Sequence, residues 1–387
     1  MRYDIAIIGG GIIGSSIAYH LARNGSGGNI AIIERDPTFK KAATPRGSGG
    51  IRQLFSLPEN VEMARYGLNF YENFDKTFSN NLQPVSISYR KQGYLFISDG
   101  GDARTMEDNF EYQQRLGVEA ELLDASQLKS LFPSINCQDI SVAVYSPNDA
   151  WIDAYSALQG FKQKFLELGV TILNEEICSA ELLKGKISQL NCTSGETIDA
   201  DNIILAAGAW SKEIGHYFNI ELPVEPMSRE SYFFRCQEPL EALPFIKTET
   251  DLAFRPEGDG YTGGVPDWNV NAGWNWELSS HYFQEVVWPS LAHRVPAMEV
   301  LKLERSWRGH YARNKLDYNA IIGKWATKPE NLFIATGFSG HGIMHAPAAG
   351  LAISEVLLTG RFQTMDLERF GTSRIIENIP YRESGII

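Results

Sequence analysis

The sequence is poor in cysteine and in basic residues, and it has no apolar run as long as a membrane span. Its four cysteines are scattered without a C-x-x-C pair, which argues against a metal site or a disulfide framework and favours a reducing compartment. Lysine and arginine number 35 against 47 acidic residues, so the formal net charge is −12. An acidic chain is a poor match for nucleic acid or an anionic membrane surface. We therefore expect a cytoplasmic protein without a metal site, a nucleic-acid partner or a transmembrane segment.

The first 34 residues contain the most informative motif of the chain. Residues 5–8 are apolar and suit a buried parallel strand, and Gly9, Gly11 and Gly14 follow with the G-x-G-x-x-G spacing. Such glycines permit a tight turn, close approach of a pyrophosphate and close packing of the next helix. Glu34 ends a second apolar run, where a carboxylate can accept hydrogen bonds from a ribose. The glycines alone would also fit a structural turn, but strand, helix, second strand and acid together predict a dinucleotide site.

A second glycine-rich turn lies in residues 331–350, which are predicted to form a strand, a turn and a helix. The tripeptide Gly340-His-Gly342 opens this helix, and Pro347 fits its first turn. Backbone N–H groups at such a helix start would stabilise the negative charge that reduced flavin carries near N1 and O2. A nicotinamide dehydrogenase would instead continue from the first glycine motif into further βαβ units. The second turn therefore favours FAD.

Segments typical of a nucleotide domain recur near residues 1–56, 170–215 and 320–360, with antiparallel-looking sequence between them. We therefore expect an α/β plus β fold with an active site between two domains, over the flavin. The discontinuous Rossmann-like FAD domain would comprise residues 1–80, 141–220 and 320–387, and the substrate domain, built on a mainly antiparallel sheet, residues 81–140 and 221–319.

These residues resemble the D-amino-acid-oxidase-like flavoproteins, in the branch that holds sarcosine oxidase, glycine oxidase and dimethylglycine dehydrogenase. The resemblance covers nearly the whole chain and is carried by residues 9–14, 34–35, 206–211 and 337–342, of which the last set is the most specific to this branch. Residues 49–53 are also similar to mitochondrial FAD-dependent oxidoreductase-domain proteins. The family likeness implies a set of FAD contacts: Gly9, Gly11, Ile12, Ile13 and Gly14 at the pyrophosphate; Glu34 and Arg35 at the adenosine; Ser48, Gly49, Gly50 and Ile51 beside the flavin ring; Ile177 at the adenine; Ala207, Gly208 and Trp210 at the second nucleotide contact; Gly309; and Phe338, Gly340, His341, Gly342, Ile343 and Met344 at the pyrimidine side of the flavin.

Three positions depart from the family pattern. Gly309 stands where some sarcosine oxidases attach the flavin to a cysteine, so we expect non-covalent FAD. Thr262 stands near the place of the lysine that activates oxygen, which makes a dehydrogenase with a carrier other than O2 as plausible as an oxidase. Met344 replaces a lysine that pairs with the carboxylate of sarcosine, which argues against simple N-methylglycine specificity.

Arg52, His341 and His310 are the candidates for catalysis. A guanidinium can hold a substrate carboxylate with two hydrogen bonds, although Arg52 in a loop could also cap carbonyls or bind a phosphate of FAD. His341 lies in the second glycine turn and would touch the flavin or only hydrogen-bond the turn. His310 follows a strand at the expected flavin-facing position, and packing in a core is nearly as good an explanation.

The segment around Trp268, Trp274 and Trp276 is unusually rich in aromatic residues. The aromatic residues would form a cage for an alkylated amine, or the segment would pack on the core as a strand or lid, and the sequence favours the second arrangement.

The function that these features favour is oxidation of a C–N bond in an amino acid or N-alkylated amine. Hydride passes to FAD, the imine hydrolyses, and O2 or another carrier accepts the electrons. Two alternatives stay open at this point: a 2-hydroxy-acid oxidoreductase of the same fold, and an FAD-containing assembly factor or complex subunit with little turnover of its own.

Overall fold

The computed structural model describes residues 1–23, 25, 28–80, 84–99, 101 and 103–385. The helices in this part of the chain are α1 Ile12–Arg23, α2 Pro58–Glu72, α3 Phe74–Phe78, α4 Ala103–Arg115, α5 Ala125–Leu131, α6 Ala154–Glu167, α7 Ser211–Tyr217, α8 Trp288–Arg294, α9 Gly342–Thr359 and α10 Ser373–Ile376. The strands are β1 Arg2–Ile8, β2 Ile30–Ile33, β3 Gly50–Ile51, β4 Arg90–Lys91, β5 Tyr94–Ser98, β6 Glu121–Leu123, β7 Val142–Ser146, β8 Ala150–Trp151, β9 Thr171–Leu173, β10 Ile177–Leu183, β11 Lys186–Cys192, β12 Thr197–Leu205, β13 Val224–Cys236, β14 Phe245–Thr248, β15 Ala253–Glu257, β16 Gly260–Gly264, β17 Leu301–Asn314, β18 Ile321–Lys324 and β19 Leu332–Thr336.

The first sheet is built around β1, which pairs in parallel with β2 on one side and β12 on the other. Strand β9 extends the parallel sheet beyond β2, and β19 extends it beyond β12. Strands β18, β10 and β11 add antiparallel edges. The central strands are buried on both faces, as their continuous apolar runs predict. The carboxyl ends of β1, β2, β12 and β19 therefore meet at one edge of the sheet.

The second sheet is mainly antiparallel and has the strand order β17-β13-β16-β15-β14-β5-β7-β6, with only β14 and β5 parallel. Its longest pairing joins β13 to β17 over nearly their whole length. The expected α/β plus β architecture is therefore confirmed. Strand β7 lies inside this sheet, so the sheet takes in residues beyond the expected domain limit at 141.

Helix α9 begins at Gly342, so Pro347 lies in its second turn and the expectation of a first-turn proline was wrong. A proline there cannot donate to the carbonyl of Ile343, four residues earlier. The hydroxyl of Tyr71 on α2 donates to that carbonyl instead, at 2.8 Å. The helix ends at Gly360, whose φ of 81° gives the left-handed cap that favours glycine.

By length and composition alone, α9 is also long and apolar enough to cross a membrane. The sequence had led us to expect no such segment. A core helix passes the same test, and 56% of this helical window is buried within the protein. Helix α9 packs against α1 and α2, so its apolar character is explained by the core that it fills.

Candidate functional site

A cavity of about 480 Å³ lies where the carboxyl edge of the parallel sheet faces the antiparallel sheet. The turn after β1 and the end of β2 form one wall, and the loop before β3 forms another. Residues 206–210 after β12 and residues 338–344 at the start of α9 complete the parallel-sheet side. Ligands of open α/β sheets bind at this kind of edge, where strand order changes direction.

The first glycine turn leaves bare backbone at the cavity. Gly9 has a φ of +102°, and a Cβ there would lie 2.5 Å from the carbonyl oxygen of Ala206. A Cβ on Gly14 would overlap the carbonyl oxygen of Gly9, so this glycine allows α1 to pack on β1. A Cβ on Gly11 would instead meet only the hydroxyl of Thr44, at 3.8 Å. Gly11 is therefore the place where a bulky anionic group can approach the start of α1.

The end of β2 presents a carboxylate and a stacked guanidinium. Glu34 accepts hydrogen bonds from the N–H groups of Gly10 and Asp36, both at 2.8 Å. Burial raises the pKa of Glu34 above its ordinary value, and the two backbone donors oppose that rise. The guanidinium of Arg35 lies 4.1 Å from the ring centroid of Trp210 and forms an ion pair with Glu176. This wall therefore combines a ribose acceptor with a flat cationic surface.

The start of α9 forms the opposite end of the cavity. Residues 342–344 line the cavity, and the cap residue His341 makes no side-chain hydrogen bond to the helix start. The first N–H groups of a helix have no partner within it, and the helix dipole adds partial positive charge there. An 18-residue helix thus presents donors suited to an anionic oxygen or nitrogen.

Arg52 and His341 are in contact beside this end of the cavity, but neither lines it. Arg52 is 3% exposed, and its guanidinium donates to the carbonyl of Leu54 and to Nε2 of His341, the latter at 3.2 Å. The guanidinium also lies 3.9 Å from the ring centroid of Phe55 and 5.1 Å from that of Phe96. Burial and the charge of Arg52 hold the pKa of His341 well below its ordinary value, so its imidazole is neutral. In the described part of the chain no carboxylate lies within ion-pair distance of Arg52.

His310 is separated from that pair, so the structure does not bring the three catalytic candidates together. Its neighbour Gly309 packs on Arg46, while the imidazole of His310 contacts the ring of Trp276 in a tilted arrangement, with ring centroids 4.3 Å apart. Successive side chains of a strand point to opposite faces, so Gly309 and His310 cannot both face the same group. Nε2 of His310 accepts a hydrogen bond from the N–H of Asn275, and burial lowers the pKa of His310 to about 4. The ring belongs to an aromatic cluster at the rim of the cavity.

Most of the FAD contacts expected from the sequence do converge on the cavity. Those that line it are Gly9, Gly11, Ile12, Ile13, Glu34, Arg35, Ser48, Gly49, Gly50, Ile177, Ala207, Gly208, Trp210, Gly309, Phe338, Gly340, Gly342, Ile343 and Met344. Gly14, Ile51 and His341 do not: Gly14 packs under the turn, Ile51 is fully buried, and His341 turns towards Arg52.

Sequence reasoning missed several side chains that the fold brings to the cavity: Thr44, Arg46, Tyr94 and Arg229. Thr44 accepts a hydrogen bond from the N–H of Ile12 and so caps the start of α1. Its position after Glu34 in a proline-containing loop was the one available signal. Arg46 lies in the same loop as Thr44, whereas Tyr94 and Arg229 come from the antiparallel sheet, where strand alternation alone does not reveal which face meets the cavity.

A second cavity of about 460 Å³ adjoins the Arg52 side of the site. Phe55 and Phe96, which hold the guanidinium of Arg52 between them, also line this cavity. Lys247 of β14 lines it as well, and burial together with the charges of Arg52 and Arg229 lowers the pKa of Lys247 to about 7. Gln113 adds a buried amide oxygen that has no hydrogen-bond partner. Residues 384–385 form part of the outer wall.

The first cavity fits a flavin dinucleotide. It offers bare backbone at Gly11 for a pyrophosphate, a carboxylate at Glu34 for a ribose and free helical N–H groups at residues 342–344 for the flavin. None of the four cysteines lines it. Within the residues that the structure describes, no group of three or more His, Cys, Asp or Glu side chains is placed to hold a metal ion.

Comparison with known proteins agrees with this geometry. Residues 4–356 match the model of the DAO family, FAD dependent oxidoreductase. The chain is 34% identical to the Xenopus laevis protein "FAD-dependent oxidoreductase domain-containing protein 1", over 100% of this chain and 85% of that protein. Its fold is similar to that of L-proline dehydrogenase from P. horikoshii, with a TM-score of 0.87 and 24% identity over 98% of this chain and 99% of the other. Glycine oxidase from Geobacillus kaustophilus gives a TM-score of 0.83 and 20% identity over 96% and 99% of the two chains.

Proposed function

This chain belongs to the DAO family of FAD dependent oxidoreductases, and from that premise we propose that it oxidises the C–N bond of an amino acid or N-alkylated amine. FAD, when bound, takes up a hydride from the carbon beside the nitrogen. Water then hydrolyses the resulting imine to a carbonyl compound and an amine. The names of two proteins with the same fold, L-proline dehydrogenase and glycine oxidase, support an amine substrate.

The observation that carries the proposal is the buried guanidinium of Arg52. A buried charge is stable only when it is paired, and among the described residues Arg52 has a carbonyl, an imidazole and two ring faces but no carboxylate. A substrate carboxylate would supply the missing counter-ion through two hydrogen bonds. Arg52 therefore binds the carboxylate of the substrate, which favours an amino acid over a simple amine.

His341 acts through Arg52 in this proposal. Because the guanidinium donates to Nε2 of His341, the neutral imidazole fixes the direction of the Arg52 side chain. A charged imidazole could not accept this hydrogen bond and would repel the guanidinium. His341 is therefore a positioning residue, and the site needs no acid or base to transfer a hydride from a neutral amine.

The cofactor would be held without a covalent bond. Gly309 lines the cavity at the place where related enzymes carry a cysteine, and none of the chain's cysteines lines it. The backbone N–H groups of residues 342–344 would stabilise negative charge on the reduced flavin. Denaturation followed by ultrafiltration tests the absence of a covalent bond: all flavin is expected in the filtrate, and flavin retained with the protein would contradict it.

The second cavity would hold the part of the substrate that does not react. It shares Phe55 and Phe96 with the surroundings of Arg52 and is largely apolar near them, so it suits a substrate longer than glycine or sarcosine. A Val144→Phe substitution places a ring in this cavity. It is expected to slow oxidation of long amino-acid substrates by at least about tenfold and to leave short ones unchanged, since a lost methylene contact alone is worth about 1 kcal/mol. Equal effects on both would contradict this assignment.

Anaerobic reduction of the flavin by amines, amino acids, N-methyl amino acids and 2-hydroxy acids tests the proposed reaction directly. Loss of the visible flavin absorbance with an amino acid or N-methyl amino acid is the expected result. Reduction by 2-hydroxy acids alone would replace the proposal with hydroxy-acid oxidation, and reduction by none would favour an assembly role. The rate of reoxidation in air then separates an oxidase from a dehydrogenase.

A further inference from the structure

Residues 265–281, the connecting segment between β16 and the following π-helical turn Phe283–Val287, lie on the surface, and none of them is buried. The segment contains no helix or strand. Two of its tryptophans nevertheless make close contacts with both sheets of the molecule. The position of the segment therefore depends on contacts with its neighbours, among them hydrogen bonds from the N–H of Gly273 to the carbonyl of Pro226 and from the N–H of Ser279 to Glu230.

Trp274 attaches the segment to the parallel-sheet side. Its indole stacks on Trp210 with ring centroids 4.2 Å apart, and its Nε1 donates to the carboxylate of Glu213 at 3.2 Å. The other face of Trp210 carries the guanidinium of Arg35 at 4.1 Å. Trp210 is thus held between a cation and a second indole, at the wall expected to meet the adenosine.

Trp276 attaches the segment to the antiparallel sheet. Its ring lies 4.3 Å from that of His310 on β17, and the neighbouring N–H of Asn275 donates to Nε2 of His310 at 3.0 Å. The cationic groups of Lys41 and Arg46 lie 5.4 and 5.5 Å from the same indole. Lys41 and Arg46 lie in the loop between β2 and β3, whose Thr44 contacts the start of α1 beside the first glycine turn.

Neither Trp274 nor Trp276 lines the first cavity, but Trp210, Glu213, His310, Lys41 and Arg46, which contact them, all do. The two indoles therefore form a second layer outside the cavity wall. They join residues from both sheets across the rim, and only Asn275 lies between the two attachment points.

We propose that the connecting segment is a removable cover that holds the two sides of the dinucleotide cleft together, so that its aromatic cluster controls the uptake and release of FAD. The inference rests on the FAD site of the proposed function. An aromatic pair and its hydrogen bond are a small part of the total stability, so their loss would open the cover while leaving the core intact. Trp274 is a positioning residue because it acts on the cofactor through Trp210.

The test is the rate of FAD release from the holoprotein, followed by the flavin fluorescence that appears after dilution. Trp274→Ala and Trp276→Ala are each expected to release FAD roughly tenfold faster than the wild type. Trp274→Phe keeps a stacking ring and is expected to restore most of the retention. Leu278→Ala is the matched control, since Leu278 is exposed on the same segment outside the cluster. Release rates equal to that of Leu278→Ala would overturn the proposal.

Limited proteolysis gives a second readout that does not depend on turnover. Chymotrypsin is expected to cut the apoprotein after aromatic residues of the connecting segment and to cut the FAD-loaded protein at least tenfold more slowly. Equal cleavage of both forms would contradict the cover. A protein that takes up no FAD would overturn both this inference and the proposed function, whereas normal FAD uptake with unchanged release would overturn this inference alone.

Discussion

Single glycines in the first turn have different structural tasks, although they belong to one sequence motif. Gly9 and Gly14 face backbone carbonyls at distances that exclude a side chain, so the fold itself requires them. Gly11 faces open cavity. We therefore propose that the ligand, not the fold, requires glycine at position 11, because a methyl group there would occupy the place expected for the pyrophosphate.

Gly11→Ala separates these two causes. We expect the apoprotein to keep its melting temperature, since a Cβ meets no atom closer than 3.8 Å, while FAD affinity falls by at least about tenfold. Titration of apoprotein with FAD and thermal unfolding measure the two effects. Gly14→Ala is the contrasting variant and is expected to destabilise the fold. Wild-type FAD affinity in Gly11→Ala would place the pyrophosphate elsewhere.

The residues that sequence reasoning predicted well are those that local backbone geometry determines. The spacing of Gly9, Gly11 and Gly14 and the acid at Glu34 follow from a strand, turn and helix close together in the chain. The direction of the His341 ring and the separation of His310 from Arg52 depend on contacts between distant elements. Alternation along β17 predicts that the side-chain positions of His310 and Gly309 face opposite ways, but it does not show that both residues border the cavity.

At the scale of elements, α9 is supported by α2 at the point where its own hydrogen bonding is interrupted. Pro347 leaves the carbonyl of Ile343 without its helical donor, and the hydroxyl of Tyr71 supplies one. The backbone of Gly67 also approaches the carbonyl of Met344 so closely that a Cβ would overlap it. Helix α2 thus fixes the first turns of α9, which face the cavity.

A double-mutant cycle tests this support. Tyr71→Phe leaves a buried carbonyl unpaired and is expected to reduce the free energy of unfolding by about 1–2 kcal/mol. Pro347→Ala restores an N–H to the helix, so Tyr71→Phe should cost less in that background, with a coupling of at least ~0.5 kcal/mol. Urea unfolding of the four proteins gives the values. Strictly additive effects would show that Tyr71 does not serve this carbonyl.

Element boundaries were predicted less well than element types. Pro347 was assigned to the first turn of α9 but lies in its second turn, where Tyr71, far away in the chain, donates to the carbonyl of Ile343. Strand β7 pairs with β5 and β6 from an earlier segment, so the antiparallel sheet extends past residue 141, while the domain limits themselves stay a prediction. Both differences arise from contacts between residues far apart in the chain.

At the scale of the whole molecule, several buried groups hold protonation states that differ from those of the unfolded chain. Burial lowers the pKa of His20 and of His310 to about 4 and that of His345 to about 3, and it also lowers the pKa of His341. Burial raises the pKa of Asp149 to about 7. The histidines and the aspartate act on stability with opposite signs.

Stability is expected to fall between pH 6.5 and pH 4. In this window the unfolded chain binds protons at four histidines that stay neutral in the folded protein, so acid favours unfolding. Asp149 and Glu34, whose carboxyl pKa values are raised by burial, bind protons more readily in the folded state and oppose this trend, but four groups outweigh two. The urea midpoint at pH 5 is therefore expected to lie below that at pH 7, and His20→Asn should reduce the difference. A higher midpoint at pH 5 would contradict the assignment of buried neutral histidines.

The molecule has two neighbouring cavities. We propose that the first holds the cofactor and that the second, beside Arg52, holds the substrate. The match over residues 4–356 supports the first, and the buried charge of Arg52 is the basis for the second. The cytoplasmic location expected from the sequence stays a prediction.

The central claim is that Arg52 binds the carboxylate of an amine substrate beside the flavin. The most direct measurement is the anaerobic rate of flavin reduction by an N-methyl amino acid and by its carboxamide, in the wild type and in Arg52→Gln. The wild type is expected to prefer the carboxylate by about 30-fold or more, since loss of one partner of a buried charge pair costs about 2–5 kcal/mol. Arg52→Gln should lose this preference and keep its FAD. An unchanged preference in Arg52→Gln would contradict the account.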